Sequence, residues 1–189
     1  MLLAARLLIP ALWLIWVLIW LVMARRAKPV AWRESRASRL VTTLPLVVAW
    51  GLFGAFRLPD WLARRWHEPS WALYWLGVAL VAAGLMLAVW ARIKLAGNWS
   101  GTVTLKEDHE IVRTGPYRWI RHPIYSGLLL GLLGSAVALG DVRGLVALLL
   151  AVGAFWARIR LEERRLEDHF GAAYVEYRRA SWAIIPLVY

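Results

Sequence analysis

The chain has 189 residues, of which 61% are hydrophobic, and a formal net charge of +11. It contains no cysteine, which excludes disulfides, a thiolate nucleophile and a cysteine metal site. The basic charge does not indicate nucleic-acid binding, because the Lys and Arg residues lie at the ends of apolar runs, where anionic lipid headgroups attract them. The composition therefore predicts a protein embedded among membrane lipids.

Five apolar runs follow one another along the chain, and they predict an all-α polytopic membrane protein with five transmembrane helices. The runs are residues 2–23, 40–56, 71–91, 124–139 and 145–159. The third is the cleanest, and at helical rise it is about 31 Å long. The fourth and fifth are joined by the short segment 140–144, which predicts a helical hairpin.

The distribution of Lys and Arg predicts the orientation. Segments 24–39, 92–121 and 158–189 carry six each, whereas the segments on the other side of the predicted spans carry five in all. By the positive-inside rule the N-terminus lies outside and segments 92–121 and 158–189 are cytoplasmic. We expect one membrane-embedded domain over 1–189, with a three-span scaffold in 1–91 and a functional core in 92–189.

The segment 109–127 is polar in a chain that is otherwise mostly apolar. Pro116 and Pro123 interrupt a helix there, and Gly115 allows a turn. Five basic or imidazole side chains lie in it: His109, Arg113, Arg118, Arg121 and His122. Ionisable residues beside membrane spans indicate a functional site.

Residues 158–179, after the fifth run, predict an amphipathic helix at the membrane surface or over the site. Its apolar stripe consists of Leu166, Phe170, Tyr174 and Tyr177. Arg158 and Glu162 are four positions apart and so share a helix face. Spacing alone favours an Arg–Glu pair on a solvated face, and it allows both side chains to point inward.

Several motifs in the second half of the chain resemble those of the isoprenylcysteine carboxyl methyltransferase family, and the phospholipid methyltransferases are similar. The motifs are Gly115-Pro116-Tyr117, Arg121-His122-Pro123-Ile124-Tyr125, Glu162-Glu163, Leu166, Phe170-Gly171, Tyr174 and Tyr177. The resemblance covers about residues 98–186, and the first three spans carry no matching motif. It implies an integral membrane enzyme that binds S-adenosylmethionine near the cytoplasmic face.

The resemblance also implies roles for individual residues. The cofactor-binding residues that it implies are His109, Glu110, Ile111, Val112, Tyr117, His122, Pro123, Ile124, Tyr125 and Glu162. The first four would hold the cofactor mainly through their backbone, with Ile111 in place of the usual leucine. Arg158 stands where the family places an arginine that faces the methyl acceptor. No metal-binding pattern is visible in the sequence.

The chemistry of the cofactor agrees with these residue types. Carboxylates such as Glu162 accept hydrogen bonds from the ammonium and hydroxyl groups of S-adenosylmethionine, while imidazole and backbone N–H groups donate to its carboxylate. Methyl transfer is an in-line displacement and depends on alignment of the acceptor. A carboxylate acceptor is already ionised at neutral pH, whereas an amine acceptor needs a base.

Other functions stay open from the sequence. A lipophilic carboxylate of the isoprenylcysteine type is the favoured acceptor, and an isoprenoid acid, a phospholipid amine or a small thiol are alternatives. An NADPH-dependent membrane reductase of the sterol-reductase type shares an RHPxY-like segment, but the Glu162-Glu163 pair favours a methyltransferase. A non-enzymatic membrane scaffold or a small transporter would leave the polar motif unexplained. The oligomeric state is also open.

Overall fold

The computed structural model describes residues 3–24, 30–33, 35–54, 57–96, 104–106 and 110–186. These parts of the chain are mainly helical, as predicted, with one short pair of strands. In chain order the elements are α1 (Leu3–Ala24), β1 (Val30–Arg33), α2 (Arg36–Gly54), α3 (Asp60–Ala63), α4 (Trp71–Leu95), β2 (Thr104–Lys106), the 3₁₀ turn Gly115–Arg118, α5 (Pro123–Leu139), α6 (Val142–Phe170) and α7 (Ala172–Arg179).

Among the described helices, α1, α2, α4 and α6 are long and apolar enough to cross a membrane. Helix α5 is also apolar, but it has only 17 residues. Many large apolar side chains on α1 and α2 are exposed, and contact with lipid would cover them. The chain is therefore a multi-pass integral membrane protein.

Close packing of α4 against α5 forms the centre of the molecule. The two helices are antiparallel, with Gly77 facing Gly134 and Gly84 facing Gly127. A Cβ on Gly134 would lie 2.5 Å from the carbonyl oxygen of Gly77, so only glycine permits this approach. Glycines on both helices therefore let the backbones of α4 and α5 approach closely.

The polar segment 24–39 contains more regular structure than the sequence predicts. Strand β1 pairs with β2 in antiparallel register, with Arg33 opposite Thr104. Helix α2 begins at Arg36, four residues before the apolar run, because the Ser35 hydroxyl accepts a hydrogen bond from the backbone N–H of Ser38 at 3.2 Å. The strand pair joins two segments that are distant in sequence.

Helices α1 and α4 end on the same side as this strand pair. The buried guanidinium of Arg92 donates to the carbonyl oxygens of Met23 at 2.7 Å and Ala96 at 2.6 Å. It thereby satisfies carbonyls at the ends of both helices. At the opposite end, backbone hydrogen bonds join Trp66 to Gly140 and Arg64 to Val142.

The predicted surface helix over 158–179 is divided differently in the structure. Helix α6 runs without a break from Val142 to Phe170, so Arg158 and Glu162 belong to the same helix as the fifth apolar run. Gly171 then has a φ of +55°, which ends α6 and separates it from α7. The change of direction buries Tyr174 and Tyr177, whereas Leu166 and Phe170 stay half-buried.

Candidate functional site

The α5–α6 hairpin brings together two polar segments that are about 40 residues apart. Helix α5 begins at Pro123, where the fixed φ of proline suits the first helical position. The tight turn at Gly140, with a φ of +72°, reverses the chain directly into α6. Helix α5 has 17 residues, so an antiparallel α6 that starts at Val142 returns to the first turn of α5 near Arg158.

Glu162 is the centre of a cluster of side chains from both helices. Its Oε1 accepts a hydrogen bond from the Tyr125 hydroxyl at 2.6 Å, and the Arg158 Nε lies 3.4 Å from the same oxygen. Its Oε2 lies 3.4 Å from the Nδ1 of His122. The Arg158 side chain is 9% exposed and that of Glu162 is 21% exposed, so they do not form a solvated pair.

Glu163 holds the other side of His122. Its Oε1 accepts from the Arg121 Nε at 2.7 Å and lies 3.3 Å from the His122 Nε2. Arg121 and Glu163 belong to motifs visible in the sequence, but neither was predicted as a site residue. The signal that could have found Glu163 is its place next to Glu162. That signal is weak, because adjacent residues on a helix point about 100° apart.

Stacked aromatic rings pack against the polar side chains of the cluster. The His122 and Tyr125 rings are nearly parallel, with centroids 5.6 Å apart, and the Phe155 ring stacks on Tyr125 at 4.8 Å. The Arg158 Cζ lies 5.8 Å from the centroid of the Tyr125 ring. Apolar contacts therefore fix the orientation of the polar groups.

The charge of His122 follows from its position between two carboxylates. Burial alone would lower the pKa of His122, but the hydrogen bonds and charges of Glu162 and Glu163 outweigh burial, and its pKa lies above the ordinary 6.5. An imidazolium donates from both ring nitrogens, so it suits two facing carboxylates. With His122 protonated, the described cluster contains three cationic and two anionic side chains.

The other predicted cofactor residues lie around this cluster. Tyr117, Pro123 and Ile124 are buried, and Val112 packs against Tyr117 and Ile124. The Tyr177 hydroxyl donates to the Tyr117 carbonyl at 2.7 Å and fixes the 3₁₀ turn against α7. Burial raises the pKa of Tyr177 to about 12, so its hydroxyl keeps its proton.

Two predicted residues lie apart from the cluster. Glu110 is exposed and Ile111 is half-buried, and within the described chain neither joins the contacts of Glu162. His109 lies outside the described residues.

The groups present suit an organic cofactor with donor groups. A carboxylate has about four lone-pair positions, and among the described residues the Glu162 Oε2 has His122 as its contact, at 3.4 Å. This oxygen can therefore accept a further bond from an ammonium or a hydroxyl. The described residues contain no group of three His, Asp or Glu side chains that could hold a metal ion.

Comparisons with known proteins agree on one family. A family model described as Phospholipid methyltransferase matches residues 72–173. The Saccharomyces cerevisiae Protein-S-isoprenylcysteine O-methyltransferase is 34% identical over 116 residues, which are 60% of this chain and 48% of that protein. The Arabidopsis thaliana Protein-S-isoprenylcysteine O-methyltransferase B is 31% identical over 124 residues, which are 64% of this chain and 63% of that protein.

A solved structure has a similar fold. It is a eukaryotic intramembrane Ras methyltransferase, ICMT, and matches with a TM-score of 0.58 and 26% sequence identity. The match covers 77% of this chain and 52% of that one. The chain thus spans about half the length of the yeast relative and of this structure. The matched family segment includes α4, α5, α6 and the cluster around Glu162.

Proposed function

The chain belongs to the phospholipid methyltransferase family, and from that premise we propose that it is a membrane methyltransferase that uses S-adenosylmethionine. Its acceptor is a lipophilic molecule with a carboxylate, of the isoprenylcysteine type. The observation that carries the proposal is the cluster of His122, Tyr125, Arg158 and Glu162, which unites the two motif segments at one end of the α5–α6 hairpin.

The residues divide into two groups. Glu162 and His122 meet the polar groups of the cofactor, and Tyr125 fixes the Glu162 carboxylate. The remaining cofactor residues supply backbone groups and the walls of the site: His109, Glu110, Ile111, Val112, Tyr117, Pro123 and Ile124. Arg158 lies on the same face as Glu162 and orients the acceptor.

When bound, S-adenosylmethionine supplies an electrophilic methyl group for in-line displacement. Arg158 provides a planar cation that can contact both oxygens of an acceptor carboxylate, which holds one oxygen toward the methyl group. The acceptor is already ionised at neutral pH, so the chain needs no general base. The stacked rings of Phe155, Tyr125 and His122 hold this geometry.

The family description favours one second candidate, N-methylation of a phospholipid amine. An ammonium group must lose a proton before it can accept a methyl group. Glu162 is placed to accept that proton, and Arg158 would then contact the lipid phosphate.

We further propose that all five apolar helices, including the shorter α5, cross the membrane as one domain over residues 1–189. The N-terminus is outside, and the site is on the cytoplasmic face. The proposal is supported by the strand pair and by the contact of Arg92 with Met23, because these hold the basic segments 24–39 and 92–121 together on one side of the helices.

The experiment that tests the function is incubation of membranes containing the protein with S-[methyl-³H]adenosylmethionine and a prenylated cysteine that has a free carboxylate. Base-labile label on this acceptor is the expected result, since methyl esters hydrolyse in base. Base-stable label on endogenous phospholipid would instead support the second candidate. Absence of label on either, together with binding of NADPH, would contradict both.

A binding measurement tests the cofactor residues. Glu162→Gln and His122→Ala each remove a charged hydrogen bond of about 1.5–3 kcal/mol, which corresponds to about tenfold or more in affinity. Glu167→Gln is the matched control, because Glu167 lies on the same helix but forms a half-exposed pair with Arg178. Calorimetry that gives wild-type affinity in both folded site variants would refute the assignment.

A further inference from the structure

The segment that follows α7 runs alongside the start of the motif Arg121-His122-Pro123-Ile124-Tyr125. Arg121 N–H donates to the Trp182 carbonyl at 2.8 Å, and His122 N–H donates to the Ala183 carbonyl at 3.0 Å. In return, Trp182 N–H donates to the Trp119 carbonyl at 2.9 Å. Ile120 and Trp182 form a parallel bridge. This segment, Ser181 to Ile184, is called here the C-terminal strap.

The side chain of Arg121 connects the strap to the buried carboxylate of Glu163. Its Nε donates to Glu163 Oε1 at 2.7 Å, while its Nη1 donates to the carbonyls of Arg178 at 3.0 Å and of Ser181. The side chain is only 9% exposed. One guanidinium therefore joins α6, the end of α7 and the strap, and its planar shape makes these contacts simultaneously possible.

The same carboxylate oxygen then holds His122. Glu163 Oε1 faces the Nε2 of the imidazole, and the Nδ1 faces Glu162, so the ring is fixed between the two carboxylates. A shift of Glu163 would rotate or displace the ring, and the Tyr125 ring that stacks on it restricts any compensation.

We propose that Arg121 and Glu163 are positioning residues, through which the C-terminal strap sets the geometry of His122 and Glu162. Neither positioning residue touches the cofactor or the acceptor. The inference rests on the proposed function for its effect on cofactor binding. The charge linkage that it requires, by which the charges of Arg121 and Glu163 change the pKa of His122, exists without the cofactor.

The charges around His122 give this role a distinctive signature. His122 faces Glu162 and Glu163 from α6, with Arg158 and Arg121 as their cationic partners, and the neutral Tyr125 stacks on its ring. Removal of the Glu163 charge withdraws an anion from the imidazolium and lowers the pKa of His122. Removal of the Arg121 charge withdraws a cation and raises it.

The test uses Glu163→Gln, Arg121→Gln and Arg121→Lys in the full chain, with histidine labelled for NMR titration and calorimetry with S-adenosylmethionine. We expect the His122 midpoint to move down in Glu163→Gln and up in Arg121→Gln. Arg121→Lys keeps the charge but loses the planar fork, so the midpoint stays near that of the wild type while cofactor affinity falls about tenfold. A loss of folding alone would not produce shifts of opposite sign.

Arg178→Ala is the matched control. It removes a side chain that forms a half-exposed pair with Glu167, but it keeps the backbone carbonyl that Arg121 contacts. We expect wild-type titration and affinity. If Arg121→Gln does not fold, Glu163→Gln and Arg121→Lys still decide the question.

The outcomes separate this inference from the proposed function. An unmoved His122 midpoint in Glu163→Gln, or wild-type cofactor affinity in both Glu163→Gln and Arg121→Lys, overturns the positioning role. If the wild-type protein binds no S-adenosylmethionine, the proposed function fails. In that case the opposite shifts of the His122 midpoint still support the charge linkage, and their absence overturns it.

Discussion

Replacement of Arg158 by alanine separates a structural role from a role in methyl transfer. An exposed Arg–Glu pair at this spacing would contribute about 0.3–0.5 kcal/mol to stability. The Arg158 side chain is 9% exposed and Glu162 is 21% exposed, so the pair is screened less than that estimate assumes. The loss of a hydrogen bond to a charged group costs about 1.5–3 kcal/mol. In Arg158→Ala, Glu162 keeps its contacts with Tyr125 and His122. We therefore expect the loss of stability to lie at the lower end of this range.

The effect on the reaction should be larger than the effect on stability. If Arg158 orients the acceptor carboxylate, its removal should lower the rate of methyl transfer about 10²–10³-fold, as for other fixed donors at a reacting group. Cofactor affinity should stay close to that of the wild type, because Glu162 and His122 remain. Arg158→Lys should recover only part of the rate, since lysine cannot contact both carboxylate oxygens in one plane.

The assay measures transfer rate, cofactor affinity and melting temperature side by side in purified variants. Arg160→Ala is the control on the same helix, because Arg160 lies over the exposed Trp156 ring at 4.9 Å and away from Glu162. It should retain the wild-type rate. Full activity in folded Arg158→Ala would remove this arginine from the site and weaken the case for a carboxylate acceptor.

Three further predictions concern topology, packing and pH. Cysteines introduced at Lys106 and Arg178 should react with an impermeant reagent only from the cytoplasmic side, and labelling of either from outside would contradict the orientation. Gly134→Leu should destabilise the protein by about 1–3 kcal/mol through overpacking, whereas Gly51→Leu, whose Cβ position has no atom of a packed neighbour within 4 Å, should not; equal melting temperatures would refute the close approach. Because the pKa of His122 is raised on folding, its contribution to stability is fully present below pH 6.5 and is lost as the pH rises through the folded value. The difference in melting temperature between wild type and His122→Ala should therefore shrink above pH 6.5, and a constant difference would contradict the raised pKa.

The sequence by itself determined the helical membrane class and the family. Apolar runs of 15 or more residues favour helices in a membrane, because only a helix satisfies every backbone group within one segment. The short motifs around His122 and Glu162 identify the family without any tertiary structure. The hairpin at Gly140 also follows from local composition, since the two apolar runs are separated by only a few residues.

The tertiary structure decided which polar groups meet. Spacing places Arg158 and Glu162 on one helix face, but it leaves open whether that face is solvated, because burial depends on what packs against α6. Likewise, the pairing of Arg121 with Glu163 spans 42 positions and depends on the length of α5 and the register of the hairpin. The end of α6 at Gly171 was also missed, because a glycine in a polar helix is tolerated in sequence and becomes a break only when Tyr174 and Tyr177 turn to pack on the site. Long-range contacts of this kind are set by packing of the whole bundle, and no local pattern encodes them.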